Sequence, residues 1–457
     1  MFARRLVTAY ALFVAFFLCS CAPFIKTEQP FVGERIVALM LPLSGPYGLV
    51  AAKITQGARA AGQELQKRGV NVRVIVFNTN SKDWLQRLEK MPPHNVVIGG
   101  PLEPQAYNQA KARHLFDKRV CFAFLNKLDK QDEGRIAYRF FPSQQDQIDA
   151  LVDFATEKMR IRSFGAFYPT DEYGLKMVAL LEKTLADKHI PLQKASYTPG
   201  VSSNWPNQVK PLINPRPSEF GSSASVIPQT SFEAVFLPDS WRYMDKLITS
   251  FWMNGEDRLI MMGTMAWEQS LQGKHLMRPD RYELGIFPSA WKNQAALPGL
   301  KENSYWHWLG YDFVHFAVQM GLTEKPDRAE VISRANRSIK VFKGLAPIYW
   351  DNVGIAHQKL FIYRVTGSGY ALMDTSFFTK LRDKCREQAA LRMQNGGKID
   401  LREPVVERPS RPRMTSSSYE SRTIAPKELP KVEPQSQSVS TIPQSSHKLR
   451  LPTNVAK

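Results

Sequence analysis

Short apolar runs alternate with amphipathic stretches over most of the chain. Runs of about four to eight apolar residues are typical of buried strands, whereas apolar residues spaced three and four apart indicate one face of a helix. Strands are predicted at 36–41, 72–77, 95–98, 120–125, 164–168, 192–197, 234–237, 259–262 and 359–365. Helices are predicted at 51–67, 84–90, 106–116, 145–159, 174–188, 241–252, 306–320 and 328–338.

This alternation predicts parallel sheets that are covered by helices on both faces. The strand and helix rhythm restarts at the helix 145–159, which indicates a second unit of the same class. Residues 199–229 are rich in Pro, Ser, Asn and Gly, and they predict a long surface loop.

The first residues predict export. Arg4 and Arg5 precede an apolar run that ends at Leu18, and the run is shorter than the roughly 20 residues of a membrane-spanning helix. Leu18-Cys19-Ser20-Cys21 resembles a lipobox, which implies a signal peptide at 1–20 and lipidation of Cys21 as the membrane anchor. Ala22 stands where an aspartate would resemble an inner-membrane retention signal, so we expect the outer membrane, facing the periplasm. An ordinary cleaved signal peptide is the alternative.

Composition defines the two ends of the folded region. Residues 21–33 form a linker, and residues 394–457 predict a disordered, basic, Pro- and Ser-rich tail with too few apolar residues for a core. The net charge of +19 would suggest nucleic acid in a cytosolic protein, but export removes that partner. Lipid head groups or cell-wall polymer are the anionic partners that remain in the envelope. The alternative is a generally basic surface without a dedicated partner.

The sequence does not indicate an enzyme. It has neither a Gly-x-Ser-x-Gly nor a His-Glu-x-x-His motif, and we expect no cofactor and no metal. Asp171 is interpreted as a turn and helix cap, and His307 as a packing residue on a helix. Cys121 and Cys385 could form a disulfide, but the apolar run around Cys121 favours a buried free thiol.

An ordered series of motifs resembles type I periplasmic binding proteins, the group that includes the branched-chain amino-acid binders. The motifs lie at 37–48, 56–58, 97–102, 138–143, 168–174, 233–239, 262–264, 309–312 and 342–345. The resemblance implies an α/β fold of two hinge-linked lobes, each a doubly wound parallel sheet. The first lobe would comprise 34–141 and 263–342, and the second 142–262 and 343–378.

The resemblance also implies a ligand-binding cleft between the lobes. Its Gly- and Pro-containing motifs mostly follow predicted strands, and open α/β sheets bind ligands at the carboxyl ends of their strands. Tyr173 would cover a ligand, and Asp239 would stand where amino-acid binders hold the ligand ammonium. The cleft residues implied are Ser44, Tyr47, Gly100, Pro101, Leu102, Glu103, Asn126, Lys127, Tyr173, Asp239 and Thr264.

The carboxylate end of this cleft departs from the amino-acid binders. Those binders present hydroxyls there, whereas this chain has Glu103, which would repel a ligand carboxylate, and Lys127, which could offset it. These departures are more similar to the lipoprotein branch of the fold that activates penicillin-binding proteins. That branch implies a regulator of peptidoglycan synthesis with a peptidoglycan synthase as partner. The alternative is a solute-binding lipoprotein of an ABC importer for amino acids or related small amides.

We predict that Cys21→Ser abolishes lipidation, because the sulfur is the only attachment point for the lipid. The variant should accumulate as a soluble protein or an uncleaved precursor, whereas wild type should partition into detergent. Intact mass and detergent partitioning measure this. A variant that partitions like wild type and differs in mass only by oxygen for sulfur would contradict the prediction.

Overall fold

The computed structural model describes residues 33–217, 226–292, 296–297, 299–300 and 303–394. The predicted signal peptide, the lipidated Cys21, nearly all of the 21–33 linker and nearly all of the tail lie outside these residues.

Strands and helices alternate along the described chain. The strands are β1 Arg35–Leu41, β2 Val72–Asn78, β3 Val96–Gly99, β4 Val120–Ala123, β5 Tyr138–Arg139, β6 Phe164–Pro169, β7 Leu192–Tyr197, β8 Arg216–Pro217, β9 Val226–Ile227, β10 Ala234–Phe236, β11 Ile260–Met262, β12 Gly285–Ser289, β13 Ile348–Trp350, β14 Ala356–Gln358, β15 Phe361–Thr366 and β16 Gly369–Leu372. The α-helices are α1 Gly48–Lys67, α2 Trp84–Glu89, α3 Pro104–Ala112, α4 Gln144–Asp153, α5 Glu172–Asp187, α6 Trp205–Gln208, α7 Lys210–Ile213, α8 Met244–Trp252, α9 Ala266–Leu271, α10 Tyr305–Met320, α11 Arg328–Ser338 and α12 Thr375–Gln394. Short 3₁₀ turns lie at Ser202–Asn204, Trp241–Tyr243, Pro279–Tyr282 and Ile339–Val341, and a π-helical turn at Phe154–Lys158.

The first lobe is built on a five-stranded parallel sheet in the order β2-β1-β3-β4-β5. Both faces of β1 are buried, because side chains alternate across a strand and helices cover both sides. Val37 and Leu39 pack in a cluster with α1 and α10, and Ala38 and Met40 pack in a cluster with α2 and α3. The expected α/β class and helix-covered sheet are confirmed here.

The second lobe has a seven-stranded sheet in the order β16-β15-β12-β11-β10-β6-β7. The strands from β12 to β7 are parallel, whereas β15 and β16 are antiparallel to their neighbours. Apolar clusters cover both faces, one with α4, α5 and α12 and the other with α6 to α9. The expectation of an all-parallel sheet is therefore wrong at this edge, where β15 and β16 form a hairpin.

The predicted lobe boundaries need two corrections. We expected 263–342 in the first lobe, but β12 belongs to the second sheet and pairs with β11. We expected 343–378 in the second lobe, but the β13–β14 hairpin contributes Ile348 and Trp350 to the first-lobe core. The chain therefore crosses between the lobes near 139–143, 289–292 and 358–361. The apolar pattern alone could not assign a strand to one of two similar sheets.

The predicted surface loop at 199–229 is also wrong in part. It contains α6 and α7, and Trp205 and Ile213 are fully buried. Trp205 Nε1 donates a hydrogen bond to the Thr198 carbonyl oxygen at 2.9 Å. A few large apolar residues therefore anchor a segment whose average composition is polar.

Helix α12 extends the second lobe beyond the predicted end at 378. Arg382 and Arg386 both donate hydrogen bonds to the Glu233 carboxylate. The distance from Arg386 Nη2 to Glu233 Oε2 is 2.9 Å. Arg392 Nη2 bonds Asp257 Oδ1 at 2.7 Å, and Phe378 is fully buried. Ion pairs hold this helix together with a few apolar contacts, of which Leu381 and Cys385 pack against the same core as Phe378.

The two cysteines within the described residues, Cys121 and Cys385, are free and lie in different lobes. Cys121 is fully buried in β4 of the first sheet, and Cys385 packs beside the second-lobe core. Burial raises the pKa of the Cys121 thiol and raises that of Cys385 to about 11. A disulfide between Cys121 and Cys385 would require β4 and α12 to move together, because its geometry needs the two Cα atoms close to each other.

Helices α1 and α10 pack backbone to backbone. A Cβ on Gly57 would lie 1.8 Å from the His307 carbonyl oxygen, and one on Gly310 would lie 2.0 Å from the Ile54 carbonyl oxygen. Two of the family-like motifs, at 56–58 and 309–312, therefore meet as a helix contact that only glycine permits. His307 is buried in this contact, as expected, and bonds Ser304 and Gln56.

A third motif meets the same helix. Asp312 is fully buried, and its carboxylate accepts the backbone N–H groups of Lys343, Gly344 and Leu345 at 3.0, 2.8 and 2.7 Å. Burial raises the pKa of Asp312 to about 6, against the lowering effect of these hydrogen bonds. The carboxylate thus fixes the loop before β13 onto α10.

A buried arginine joins two of the lobe crossings. Arg139, 4% exposed, donates from Nε to Glu133 Oε1 at 3.1 Å and from Nη1 to Asp146 Oδ2 at 3.1 Å, and it bonds the Ala356 carbonyl oxygen. Asp146 Oδ1 also accepts the Gln358 N–H at 3.2 Å. Strand β5, helix α4 and strand β14 are therefore held at one point.

We predict that Gly310→Ala lowers the free energy of unfolding by about 3 kcal/mol, the upper range for overpacking, because the added methyl forces α1 and α10 apart. Urea denaturation measures the loss. Gly48→Ala is the control, since its Cβ would meet no atom closer than 3.5 Å. Equal stability of the Gly310 variant and the control would contradict the backbone contact.

Candidate functional site

The predicted cleft residues lie beyond the carboxyl ends of parallel strands. In the first lobe they follow β1 (Ser44, Tyr47), β3 (Gly100, Pro101, Leu102, Glu103) and β4 (Asn126, Lys127), and in the second they follow β6 (Tyr173), β10 (Asp239) and β11 (Thr264). Each group therefore gathers at one edge of its sheet, the edge at which open α/β sheets place their sites.

The first-lobe loops present few free ligand groups. The Ser44 hydroxyl and carbonyl oxygen accept Asn80 Nδ2 at 3.1 and 3.0 Å. Tyr47 is 46% exposed at the start of α1. Asn126 and Lys127 are exposed beyond β4. Of these four side chains, Ser44 already has a hydrogen-bond partner, Asn80, within its own lobe.

The loop after β3 is poor in hydrogen-bond donors. The Gly100 N–H donates to the Phe122 carbonyl oxygen at 2.9 Å, and Pro101 and Pro104 have no N–H to offer. Leu102 and Glu103 are half-buried, and Glu103 precedes α3 without capping it. A ligand carboxylate would meet an acidic side chain here and few amides.

The second-lobe residues form one cluster. Asp239 Oδ2 accepts the Tyr197 hydroxyl at 2.5 Å, and Oδ1 accepts the Ser240 N–H at 2.6 Å. Burial raises the pKa of Asp239. Burial also raises the pKa of Tyr173, and the negative charge of Asp239 makes a smaller contribution in the same direction. Thr264 is fully buried and lies beside the Tyr173 hydroxyl. The structure therefore brings Tyr173, Asp239 and Thr264 together, with the Asp239 carboxylate already bonded.

A cavity of about 260 Å³ lies between the lobes, next to the crossings. Asn126 lines it, whereas the other predicted cleft residues do not. The lining residues are Lys53, Asn126, Phe141, Pro142, Gln147, Met265, Ala266, Glu268, Gln269, Gln272, Trp291, Ser304, Tyr305 and Trp306. Both lobes contribute, and Gln147 of α4 bonds the Met265 N–H through Oε1 at 3.1 Å.

Aromatic rings form one wall of this cavity. Phe141 and Trp306 stack with centroids 5.8 Å apart and planes at 19°. Tyr305 meets Phe141 edge to face at 5.7 Å. Phe141 belongs to the motif at 138–143, and the other two rings belong to the Tyr305-Trp306-His307-Trp308 segment, whose sequence predicts core or cleft-wall packing. Trp306 is half-buried and lies at the cavity surface.

One buried carboxyl group also lines the cavity. Glu268 of α9 is 7% exposed, and its Oε1 accepts the Ser289 hydroxyl at 2.7 Å and the Trp291 indole N–H. Burial raises the pKa of Glu268 to about 7 against the lowering effect of these two bonds. No local motif indicates this carboxyl group, because Ser289 and Trp291 lie about twenty residues away and only the fold brings them together.

The described residues limit the chemistry of the site. Among them, no group of three or more His, Cys, Asp or Glu side chains is placed to hold a metal ion. Asp171 acts as the predicted helix cap, since its carboxylate accepts the Gly174 N–H at 2.7 Å. No helix in the described part of the chain combines the length and the apolar character needed to span a bilayer.

Solved structures that are similar to this chain include a transport protein and a regulatory protein. A protein described as a branched-chain amino acid ABC transporter from Rhodospirillum rubrum matches 75% of this chain and 100% of its own, at 12% identity and a TM-score of 0.55. The C-domain of LpoA (YraM) from Haemophilus influenzae, a regulator of PBP1A, matches 74% of this chain and 100% of its own, at 13% identity and a TM-score of 0.47. Full-length LpoA from that organism matches at 13% identity and a TM-score of 0.48, and this chain covers 59% of its length.

No protein-family model and no curated protein matches the chain. At these identities the structural likeness establishes the fold alone. The fold is that of type I periplasmic binding proteins, as the sequence motifs implied.

We predict that Glu268 makes stability fall as pH rises. Its pKa is about 7 in the folded chain and 4.5 ordinarily, so the folded state binds the proton more tightly. Stability is then greatest at low pH and falls between about pH 4.5 and pH 7, by roughly 3 kcal/mol. The Glu268→Gln variant should not show this pH-dependent fall in stability.

Urea denaturation of both proteins at pH 5, 6, 7 and 8 measures this difference. Glutamine keeps the acceptor for Ser289 and Trp291 and cannot ionise, so other titrating groups cancel in the comparison. A wild-type-to-variant difference that stays constant from pH 5 to pH 8 would show that Glu268 ionises normally.

Proposed function

We propose that this chain is a non-catalytic envelope lipoprotein that regulates peptidoglycan synthesis through contact with a peptidoglycan synthase. The observation that carries the proposal is the state of Asp239. The carboxylate that amino-acid binders would offer to a ligand ammonium is bonded here to Tyr197 and Ser240 of its own lobe. An amino-acid ligand would have to compete with a 2.5 Å hydrogen bond inside a partly buried site.

The opposite end of the cleft supports the same conclusion. Pro101 and Pro104 remove backbone donors, Glu103 adds an acidic group, and the Ser44 hydroxyl already accepts Asn80. A ligand carboxylate needs several donors in one place to offset its loss of hydration. The Asp239 end thus has its carboxylate already bonded, and the opposite end offers a ligand carboxylate the exposed side chains of Asn126 and Lys127 beside an acidic loop with few backbone donors. On this balance we propose that protein contact is the working mode.

The proposed location follows from the leader sequence. A lipid on Cys21 would tether the folded region to the outer membrane, facing the periplasm, where a synthase and its cell-wall substrate are accessible. The positive net charge would favour a position near anionic lipid head groups or cell-wall polymer through long-range attraction that salt weakens.

One observation favours a second candidate. The cavity of about 260 Å³ between the lobes has aromatic and amide walls, which is the kind of lining that small-molecule sites have. It keeps a solute-binding lipoprotein of an ABC importer, for an amino acid or a related small amide, as the alternative function.

We predict that Asp239→Ala leaves activation of a peptidoglycan synthase unchanged, because the proposed protein contact uses outer surfaces. Calorimetry with free amino acids should show no binding to wild type. The activity assay uses purified synthase with lipid-linked substrate, with and without the full-length lipoprotein, and Tyr197→Phe is the matched control for the Asp239 cluster.

The importer hypothesis predicts the reverse result. Asp239→Ala would then lose a charge-assisted hydrogen bond to the ligand and weaken amino-acid binding by about 1.5–3 kcal/mol, roughly ten-fold or more. Tight amino-acid binding that disappears in Asp239→Ala, together with an absence of synthase activation by wild type, would overturn the proposal.

A further inference from the structure

The cavity between the lobes combines a carboxyl group with an aromatic wall. We propose that it binds a small organic cation, with Glu268 as the counter-charge and Phe141, Tyr305 and Trp306 as the surface against which the cation packs. This assignment goes beyond the proposed regulator function and does not rest on it. It also differs from the implied cleft site, since Asn126 is the only residue of that prediction that lines this cavity.

The geometry of Glu268 supports a ligand that donates to it. Both hydrogen bonds to this carboxyl group, from Ser289 and Trp291, go to Oε1. Within the part of the chain that the structure describes, Oε2 has no hydrogen-bond partner. Because Glu268 lines the cavity, Oε2 is the atom left to face it. The Glu268 residue as a whole is 7% exposed, and a cationic N–H in the cavity would supply the charge-assisted hydrogen bond that Oε2 lacks.

The aromatic wall fits the same ligand class. Phe141 and Trp306 lie almost parallel, with Tyr305 packed edge-on to both. Ring faces attract cations through their quadrupole, and indole is the best of the side-chain rings for this. A carboxylate beside such rings is the combination that recognises amines and quaternary ammonium groups rather than anions.

The remaining walls are consistent with a small ligand. Gln147, Gln269 and Gln272 offer neutral amides, which can bond either donors or acceptors. Lys53 is the other charged group in the described lining, and it has an interaction of its own. The cavity volume lies at the lower end of the usual range for ligand pockets, roughly 300–1,000 Å³. The ligand is therefore expected to be about the size of a simple aromatic amine.

The two protonation states of Glu268 give the site a pH dependence. Burial holds the pKa of this carboxyl near 7, so the group is partly neutral under those conditions. A bound cation favours the ionised form, and binding therefore releases a proton. Affinity for a cation should rise as pH increases from 6 to 8. Burial raises the pKa of the Tyr305 hydroxyl well above its ordinary value, so that group stays neutral over this range, and Lys53 is the other charged residue that lines the cavity.

Tyramine, choline and 4-ethylphenol are the probes for this site. Tyramine has a ring and an ammonium group, choline has a quaternary ammonium group, and 4-ethylphenol has nearly the same ring without the charge. Binding to the full chain is measured by calorimetry and by the fluorescence of Trp291 and Trp306. We expect saturable binding of tyramine, weaker binding of 4-ethylphenol, and tighter tyramine binding at pH 8 than at pH 6.

Glu268→Gln tests the counter-charge. This substitution should lower the affinity for tyramine about ten-fold or more and leave the affinity for 4-ethylphenol unchanged. Glu172→Gln, which removes an exposed carboxylate at the start of α5, is the matched control and should change neither. Trp306→Leu keeps an apolar side chain but removes the indole ring, and it should lower the affinity for both tyramine and choline. Circular dichroism and thermal unfolding establish that each variant is folded.

Two results would overturn the proposal. The first is the absence of saturable binding of both tyramine and choline to folded wild type. The second is equal tyramine affinity in wild type and Glu268→Gln, which would show that the carboxyl group takes no part. Either result leaves the synthase proposal intact, because the synthase activity assay contains none of these probes.

Discussion

The arrangement of the two lobes depends on the buried guanidinium of Arg139. It joins Glu133 in the first lobe, Asp146 at the start of α4 and the backbone of Ala356, so two of the three lobe crossings meet at one charged group. A buried ion pair adds little net stability compared with apolar packing, but removing one partner leaves an uncompensated charge. The network therefore specifies how the crossings run, and the interlobe cavity lies directly beside it.

Much of the fold could be predicted from the sequence because local pattern and tertiary structure agree. β1, α1, β6 and α5 each combine a clear apolar period with turn residues at their ends, and the structure places their ends within three residues of the prediction. The errors have physical causes. β12 lies in a segment where no strand was predicted, and only its pairing with β11 assigns it to the second sheet. α12 buries a narrow apolar stripe, and ion pairs to Glu233 and Asp257 supply much of its contact with the lobe.

The candidate site was predictable in its location but not in its chemistry. Residues after β1, β3, β4, β6, β10 and β11 had to gather at two sheet edges, because parallel strands end together. What each side chain does there depends on partners far along the sequence. Asp239 bonds Tyr197 and Glu268 bonds Ser289 and Trp291, and no local motif records either pairing. Two glycines of the family-like motifs, Gly57 and Gly310, serve helix packing rather than a ligand.

We propose that this chain, with the fold of a periplasmic binding protein, works through contact with another protein. The decisive experiment is crosslinking in intact cells, followed by purification of the chain from membranes and identification of the proteins bound to it. We expect recovery of a peptidoglycan synthase, at a level that falls when the crosslinker is omitted. Recovery of an inner-membrane permease of an importer, without a synthase, would contradict it.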